Sequence, residues 1–235
     1  MFKYANLSTF NLNFFNIFHK KLLFGTQPPQ RRVLQGYILK VLPVREEDCV
    51  VFVLTATGLF KTYRFYAARH SVVMTGFKID FELEESPVFL PRLRRVMQYG
   101  FSWLAERERF GVWQNFCRLC CEHLSQVENL EPFYFELFEN AARKMSRQNP
   151  YRVVVEAFLE LLFYEGRLAA NAWCEVCEKP LKGEVALGRA FVPTHAFCSG
   201  RRAFGGVGEL FASRKTTHLE DDVVKALYEI VCEGF

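Results

Sequence analysis

Four residues near the C-terminal end have the types and spacing of a metal site. Cys174 and Cys177 form a C-x-x-C pair, and His195 and Cys198 repeat that spacing across the stretch "WCEVCEKPLKGEVALGRAFVPTHAFC". Structural zinc takes four soft or borderline ligands in a tetrahedron, and a C-x-x-C turn brings two thiolates to one ion. The text between the pairs suits a small ribbon: "EKPLKG" reads as a turn, and "EVALGRAFV" as a short pair of strands ending at Pro193. Unrelated buried thiols and a redox dithiol are the alternatives, although no thioredoxin-like βαβ pattern surrounds the pair. With four protein ligands an ion has no open position for water or substrate, so the expected cofactor is one structural zinc.

A second C-x-x-C, within "CRLCC" (Cys117, Cys120 and Cys121), has a different context. It falls in an amphipathic helical pattern, where residues three apart share the buried face, so these thiols are read as core. Between Leu34 and Arg95, cations alternate with rings. Lys40, Arg45, Lys61, Arg64, Arg69, His70, Lys78, Arg92, Arg94 and Arg95 are interleaved with Tyr37, Phe60, Tyr63, Phe65, Tyr66 and Phe77. Cations for phosphates and rings for bases make a single-strand binding face. An ordinary solvated surface over an aromatic core is the bland alternative, because acids there are nearly as numerous. "KTYRFYAARHS" is the most cation-dense patch and "PRLRR" the next. The chain has no phosphate-binding loop, nucleophile elbow or H-E-x-x-H pair. "SGRRAFGGVGELFASR" follows a cysteine knuckle, not a strand opening a crossover helix, so its glycines are expected to form a flexible loop.

The elements that must position these residues can be read from periodicity. "GYILKVLPV", "DCVVFVLTATG", "LFKTYRFYA", "FKIDFELEE" and "PVFLPRLRRV" are short β-rich runs separated by turn residues. Five such runs predict a small antiparallel barrel of the OB-fold or SH3-like kind. From Phe101 the period becomes helical through "WLAERERFGVWQNFCRLCCEHLSQV", "PFYFELFENAARKMSRQ" and "NPYRVVVEAFLELLFYEGR", the last capped by Asn149 with Pro150 in its first turn. A final helix starts near Thr217 or His218, carries acids in its first turn and ends at Gly234. It is expected to pack back on the other helices. The fold class is therefore α+β: barrel at 34–100, helical domain at 101–172, inserted zinc-ribbon-like module at 173–199, then a loop and terminal helix at 200–235.

The formal charge of +4 comes from 30 basic and 26 acidic residues. Five of the bases and none of the acids lie in the first 32 residues, leaving 25 against 26, a net −1, for the remainder. The Phe- and Asn-rich stretch 1–33 lacks the layout of a secretion signal and is expected to be a disordered arm or sequence upstream of the true start, at Val33 or Leu34. No apolar run is long enough to cross a bilayer. Eight cysteines without a secretion signal suggest reduced thiols in the cytoplasm.

The order of parts, together with "QGYILKVLPVREEDCVVFVLTATGLFKTYRFYAAR" and "VVEAFLELLFYEGRLAANAWCEVCEK", resembles the RecO family of bacterial recombination mediators. The likeness covers roughly Leu34 to Phe235. It implies an OB-fold that binds single- and double-stranded DNA, a helical domain and a structural zinc module. It also implies annealing of complementary strands and, with the partner RecR, loading of RecA onto DNA coated by single-strand binding protein, without enzymatic bond chemistry. The "YAAR" element puts Arg69, with Arg64 and Lys61, where the family keeps basic residues. Tyr63, Tyr66, His70, Arg92 and Arg94 complete the expected DNA-contact set, and Cys174, Cys177 and Cys198 fall on metal-ligand positions. His195 stands where the commoner pattern has cysteine, "HSVVMTG" is nearly uncharged where the family has a Lys/Ser-rich loop, and 1–33 has no counterpart. A zinc-ribbon scaffold that binds protein only is the rival expectation.

Overall fold

Five strands build the barrel: β1 (Val33–Pro43), β2 (Cys49–Thr55), β3 (Gly58–Arg64), β4 (Lys78–Glu84) and β5 (Arg92–Tyr99). They close in the order β1-β2-β3-β5-β4, with β1 pairing to β4. All neighbours are antiparallel except β3 and β5, which meet in parallel at Tyr63 and Arg92. This computed structural model describes residues 33–67, 71–127, 129–168 and 173–235; the expectation for the N-terminal stretch falls outside them, Val33 apart.

Alternation along β2 shows how the barrel is filled. Cys49, Val51 and Val53 point inward with Ile38, Phe77, Ile79, Phe81 and Leu93. The other face of β2 is apolar too, because Leu54, with Tyr37 and Leu39 of β1, lies in the core beneath the helices. A strand covered on both sides reads as a continuous hydrophobic run, which "CVVFVLT" does. Gly36 in β1 is required by that packing: a Cβ there would stand 2.6 Å from Val53 Cγ1 and 2.7 Å from the Leu54 carbonyl oxygen. The fifth strand begins at Arg92, later than the sequence pattern indicates. Pro87 and Pro91 have no N–H to give a ladder, and Val88 and Phe89 between them are exposed.

Three helices follow: α1 (Arg107–Leu124), α2 (Pro132–Met145) and α3 (Pro150–Tyr164). The expected cap is present, with Asn149 Oδ1 accepting the Tyr151 N–H at 3.0 Å. Helix α3 is the central one: Val153, Val154, Val155, Phe158, Leu159, Leu161 and Leu162 are all buried, covering more than one face. Two indoles join helices to their surroundings: Trp113 Nε1 donates to the Gly76 carbonyl at 2.8 Å and Trp103 Nε1 to the Ala142 carbonyl at 3.1 Å.

Beyond α3 come β6 (Val185–Leu187), β7 (Pro193–Thr194), α4 (Ala196–Ser199), β8 (Ala203–Phe204), α5 (Val207–Ser213) and α6 (Asp221–Val231). Strands pair in the order β7-β6-β8. Here the expected flexible loop is corrected. The stretch 200–216 supplies β8 and α5, and burial of Val207, Leu210 and Phe211 at helical spacing holds α5 in place. Gly206, at φ +72°, begins α5 in a left-handed conformation that glycine adopts without cost. The last helix starts at Asp221, after Thr217 and His218, with Asp221 and Asp222 in its first turn. It packs on α3. Val33–Phe235 forms one unit, and a single cluster runs from Tyr37 and Leu54 of the barrel through α1–α3 to Leu187, Phe191 and Phe204 of the C-terminal sheet. Among the described residues no helix is long and apolar enough to cross a membrane.

Candidate metal centre and nucleic-acid surface

The four ligand atoms of Cys174, Cys177, His195 and Cys198 lie within 4.8 Å of one another. The knuckle that carries the first two is tied by Cys174 N–H to the Lys179 carbonyl at 2.9 Å and Glu178 N–H to the Cys174 carbonyl at 2.8 Å. Glu175 N–H reaches the Pro193 carbonyl at 3.2 Å, fastening the knuckle to β7. His195 sits at the start of α4, and Cys198 lies within that single turn. Their spacing thus places imidazole and thiol on one side of a short helix.

Nδ1 of His195 is 3.4 Å from Cys177 Sγ and 3.8 Å from Cys198 Sγ. Around a tetrahedral ion with bonds of about 2.0–2.3 Å, neighbouring N and S ligands stand about 3.6 Å apart. These two distances fit neighbouring positions of a tetrahedral centre. Nε2 faces the Pro180 carbonyl at 3.3 Å. A carbonyl only accepts, so the ring proton belongs on Nε2 and the Nδ1 lone pair is left for the ion. Burial pushes the Cys174 thiol up, but N–H groups of His195, Cys177 and Val176 directed at its sulfur outweigh that and hold it at about 6. One of these, from His195, measures 3.4 Å. Cys198 moves the other way, to about 11, through burial and its hydrogen bonds to the sulfurs of Cys177 and Cys174. Three thiolates and an imidazole, one sulfur already ionised at neutral pH, are a donor set able to hold a metal ion and compatible with zinc.

Cys117, Cys120 and Cys121 occupy the buried stripe of α1 among Trp113, Phe116 and Leu124. Burial raises all three thiols, Cys121 to about 11. They are packing residues, as the helical spacing indicates.

The expected DNA-contact set divides. Lys61 is exposed on the outer face of the barrel, its ammonium 5.8 Å from the Phe52 ring centre. Tyr63, Arg64, Tyr66, Arg92 and Arg94 gather at one end, where the β1–β2 turn, the end of β3 and the β4–β5 loop converge. Asp48 organises this end: it accepts from the Tyr63 hydroxyl at 2.7 Å and the Tyr66 backbone N–H at 3.0 Å, which hold its carboxyl below the usual carboxylate range. Arg64 turns to the barrel side of β3, where Nη1 donates to the Leu93 carbonyl at 2.9 Å and bridges β3 to β5. Arg92 lies 5.2 Å over the Phe65 ring and, with Arg94, pairs with Glu84 at 3.6 and 2.7 Å. Arg69 and His70 fall outside the described residues. Phe65 is among the rings expected at a binding face, whereas the sequence pattern gives Asp48 no place there, because a turn acid carries no signal without the register that joins it to Tyr63 and Tyr66.

A closed five-strand barrel with one parallel β3–β5 contact, followed by helices, is the OB-fold arrangement. Residues 34–104 match the family model described as RecO N terminal. The chain carries a RecO N-terminal domain. The match covers the five barrel strands apart from Val33 and is confined to that part of the chain. The metal cluster and helices α1–α6 all lie beyond the matched segment. No curated protein matches the chain.

Proposed function

We propose that this protein is a RecO-type mediator of DNA repair and recombination. The supporting observation is the conjunction of the RecO N-terminal match with the closed barrel it covers. In this role the chain binds single- and double-stranded DNA, anneals complementary strands and, with RecR, helps place RecA on DNA coated by single-strand binding protein. It performs no bond chemistry. The barrel end bearing Tyr63, Tyr66, Arg92 and Arg94 holds DNA through cations and rings, working in the cytoplasm at the nucleoid. One zinc ion held by Cys174, Cys177, His195 and Cys198 is structural: all four tetrahedral positions are filled from the chain, and the ion fixes the knuckle against β7 and α4.

Fluorescence anisotropy of a labelled single strand tests this. Binding is expected at low salt and falls as salt rises, since phosphate contacts release counterions. The Arg92→Glu/Arg94→Glu variant is expected to weaken it about tenfold or more. Absence of binding by the full chain at low salt defeats the proposal and favours the protein-only scaffold.

A further inference from the structure

Every cysteine of the metal cluster is preceded by a large apolar residue that the fold leaves in solvent. Trp173 is 56% exposed, Val176 61% and Phe197 81%. Each of the three flanks a ligand of one cluster whose ligand atoms lie within 4.8 Å of one another, so their exposed apolar surface gathers around a single centre. Trp173 bridges Pro180 across the knuckle, and Cys174 N–H binds the Lys179 carbonyl, so the backbone of Lys179 is fixed one residue from the position opposite the indole. The Phe197 ring lies nearly parallel to His195, centroids 4.9 Å apart at 18°, which holds it as a flat platform.

Charge indicates what kind of partner fits. Residues 173–202 contain five Lys or Arg and three Glu, but Arg201 and Arg202 pair with Glu233 and Asp222, so the cations that the rim itself offers are Lys179 and Lys182. Lys179 and Lys182 are exposed and form no ion pair among the described residues. Rings that offer flat faces beside flexible cations match unpaired nucleotides, whose bases stack while their phosphates meet ammonium groups. A duplex hides its base faces and cannot use the rings in this way.

We propose that Trp173 and Phe197, with Lys179 and Lys182, form a second contact for single-stranded DNA, distinct from the barrel end. The proposal rests on the DNA-binding function above. The knuckle glutamates Glu175 and Glu178 lower the local field, so stacking contributes more here than phosphate contact. Two contacts on one chain would let it hold two strands, or two points of one strand, while the metal keeps the second contact rigid.

Trp173 supplies its own reporter. Of the three tryptophans, Trp103 is 1% and Trp113 0% exposed, so only Trp173 can meet a base. The full chain is titrated with labelled oligodeoxythymidylate at low salt, following label anisotropy and tryptophan emission together. Binding is expected to quench the emission, a duplex to leave it nearly unchanged, and Trp173→Phe to abolish the quenching. The Trp173→Ala/Phe197→Ala variant is expected to bind about tenfold more weakly. Phe197→Ala alone, at the most exposed site, keeps the fold and should give part of that loss. Binding with unquenched emission and unchanged affinity in the double variant overturns the second contact alone and assigns the rim to a protein partner. Failure of the wild-type chain to bind overturns both proposals.

Discussion

Replacing Glu156 by alanine should be among the most damaging single changes away from the metal centre. Glu156 lies on α3, is only 6% exposed, and its Oε1 accepts both the backbone N–H of Thr216 at 3.1 Å and its hydroxyl at 3.0 Å. Thr216 is fully buried. Glu156→Ala strands two donors where water cannot reach, at about 1–3 kcal/mol each. Lys144 and Lys215, 3.5 and 3.8 Å from Oε2, are 37% and 46% exposed and re-solvate, so they add little. Relief from burying a carboxylate offsets part of the loss. A net of about 3 kcal/mol follows, or a fall in Tm of about 6–12 °C for a chain of this size. Glu156→Gln keeps an acceptor and should cost about 1 kcal/mol. Urea unfolding followed by circular dichroism gives both values. A loss under about 1 kcal/mol for the alanine variant, or equal losses for the two, would refute the role assigned to Thr216.

Other expectations concern the site residues. Arg64→Ala should cost about 1–2 kcal/mol in denaturant unfolding, because it removes the bond to Leu93 that closes β3 on β5; a drop in DNA affinity with unchanged stability would instead make Arg64 a surface contact. Metal retention should depend on pH in a defined direction. Cys174, held at about 6 before an ion binds, is a thiolate above that value, and a bound ion, which competes with the proton, shifts loss of the thiolate to lower pH still. A chromogenic chelator should therefore detect release at or below about pH 6, and release already half complete at pH 7 would contradict the assignment.

The metal cluster was legible because ligand spacing is local: a C-x-x-C turn and an H-x-x-C helical turn each bring two donors together regardless of the remaining fold. Barrel strands and helices α1–α3 were legible from their periods, and the Asn149 cap from a two-residue signal. The barrel end was only half legible. Cations and rings are visible in the text, but Arg64 and Lys61 point to different faces because β3 alternates, and the register that sends one inward lies in Val51↔Thr62 and its neighbours. Helix α5 was missed since Gly205, Gly206 and Gly208 mask three buried side chains that only tertiary packing makes helical.

Sharing one core has a practical side for anyone isolating the barrel. Tyr37, Leu39 and Leu54 are fully buried only because α1–α3 lie over them, so a fragment cut at the family-matched boundary near residue 104 would present a greasy flank to water. Such a fragment is expected to clump or to recruit foreign proteins non-specifically, and its pull-downs would mislead. The same coupling means that damage at the Cys/His cluster can reach the barrel through Phe191 and Phe158, whose rings meet edge-on 5.2 Å apart. Loss of strand annealing in a ligand variant would then report a loosened interior as readily as a lost contact.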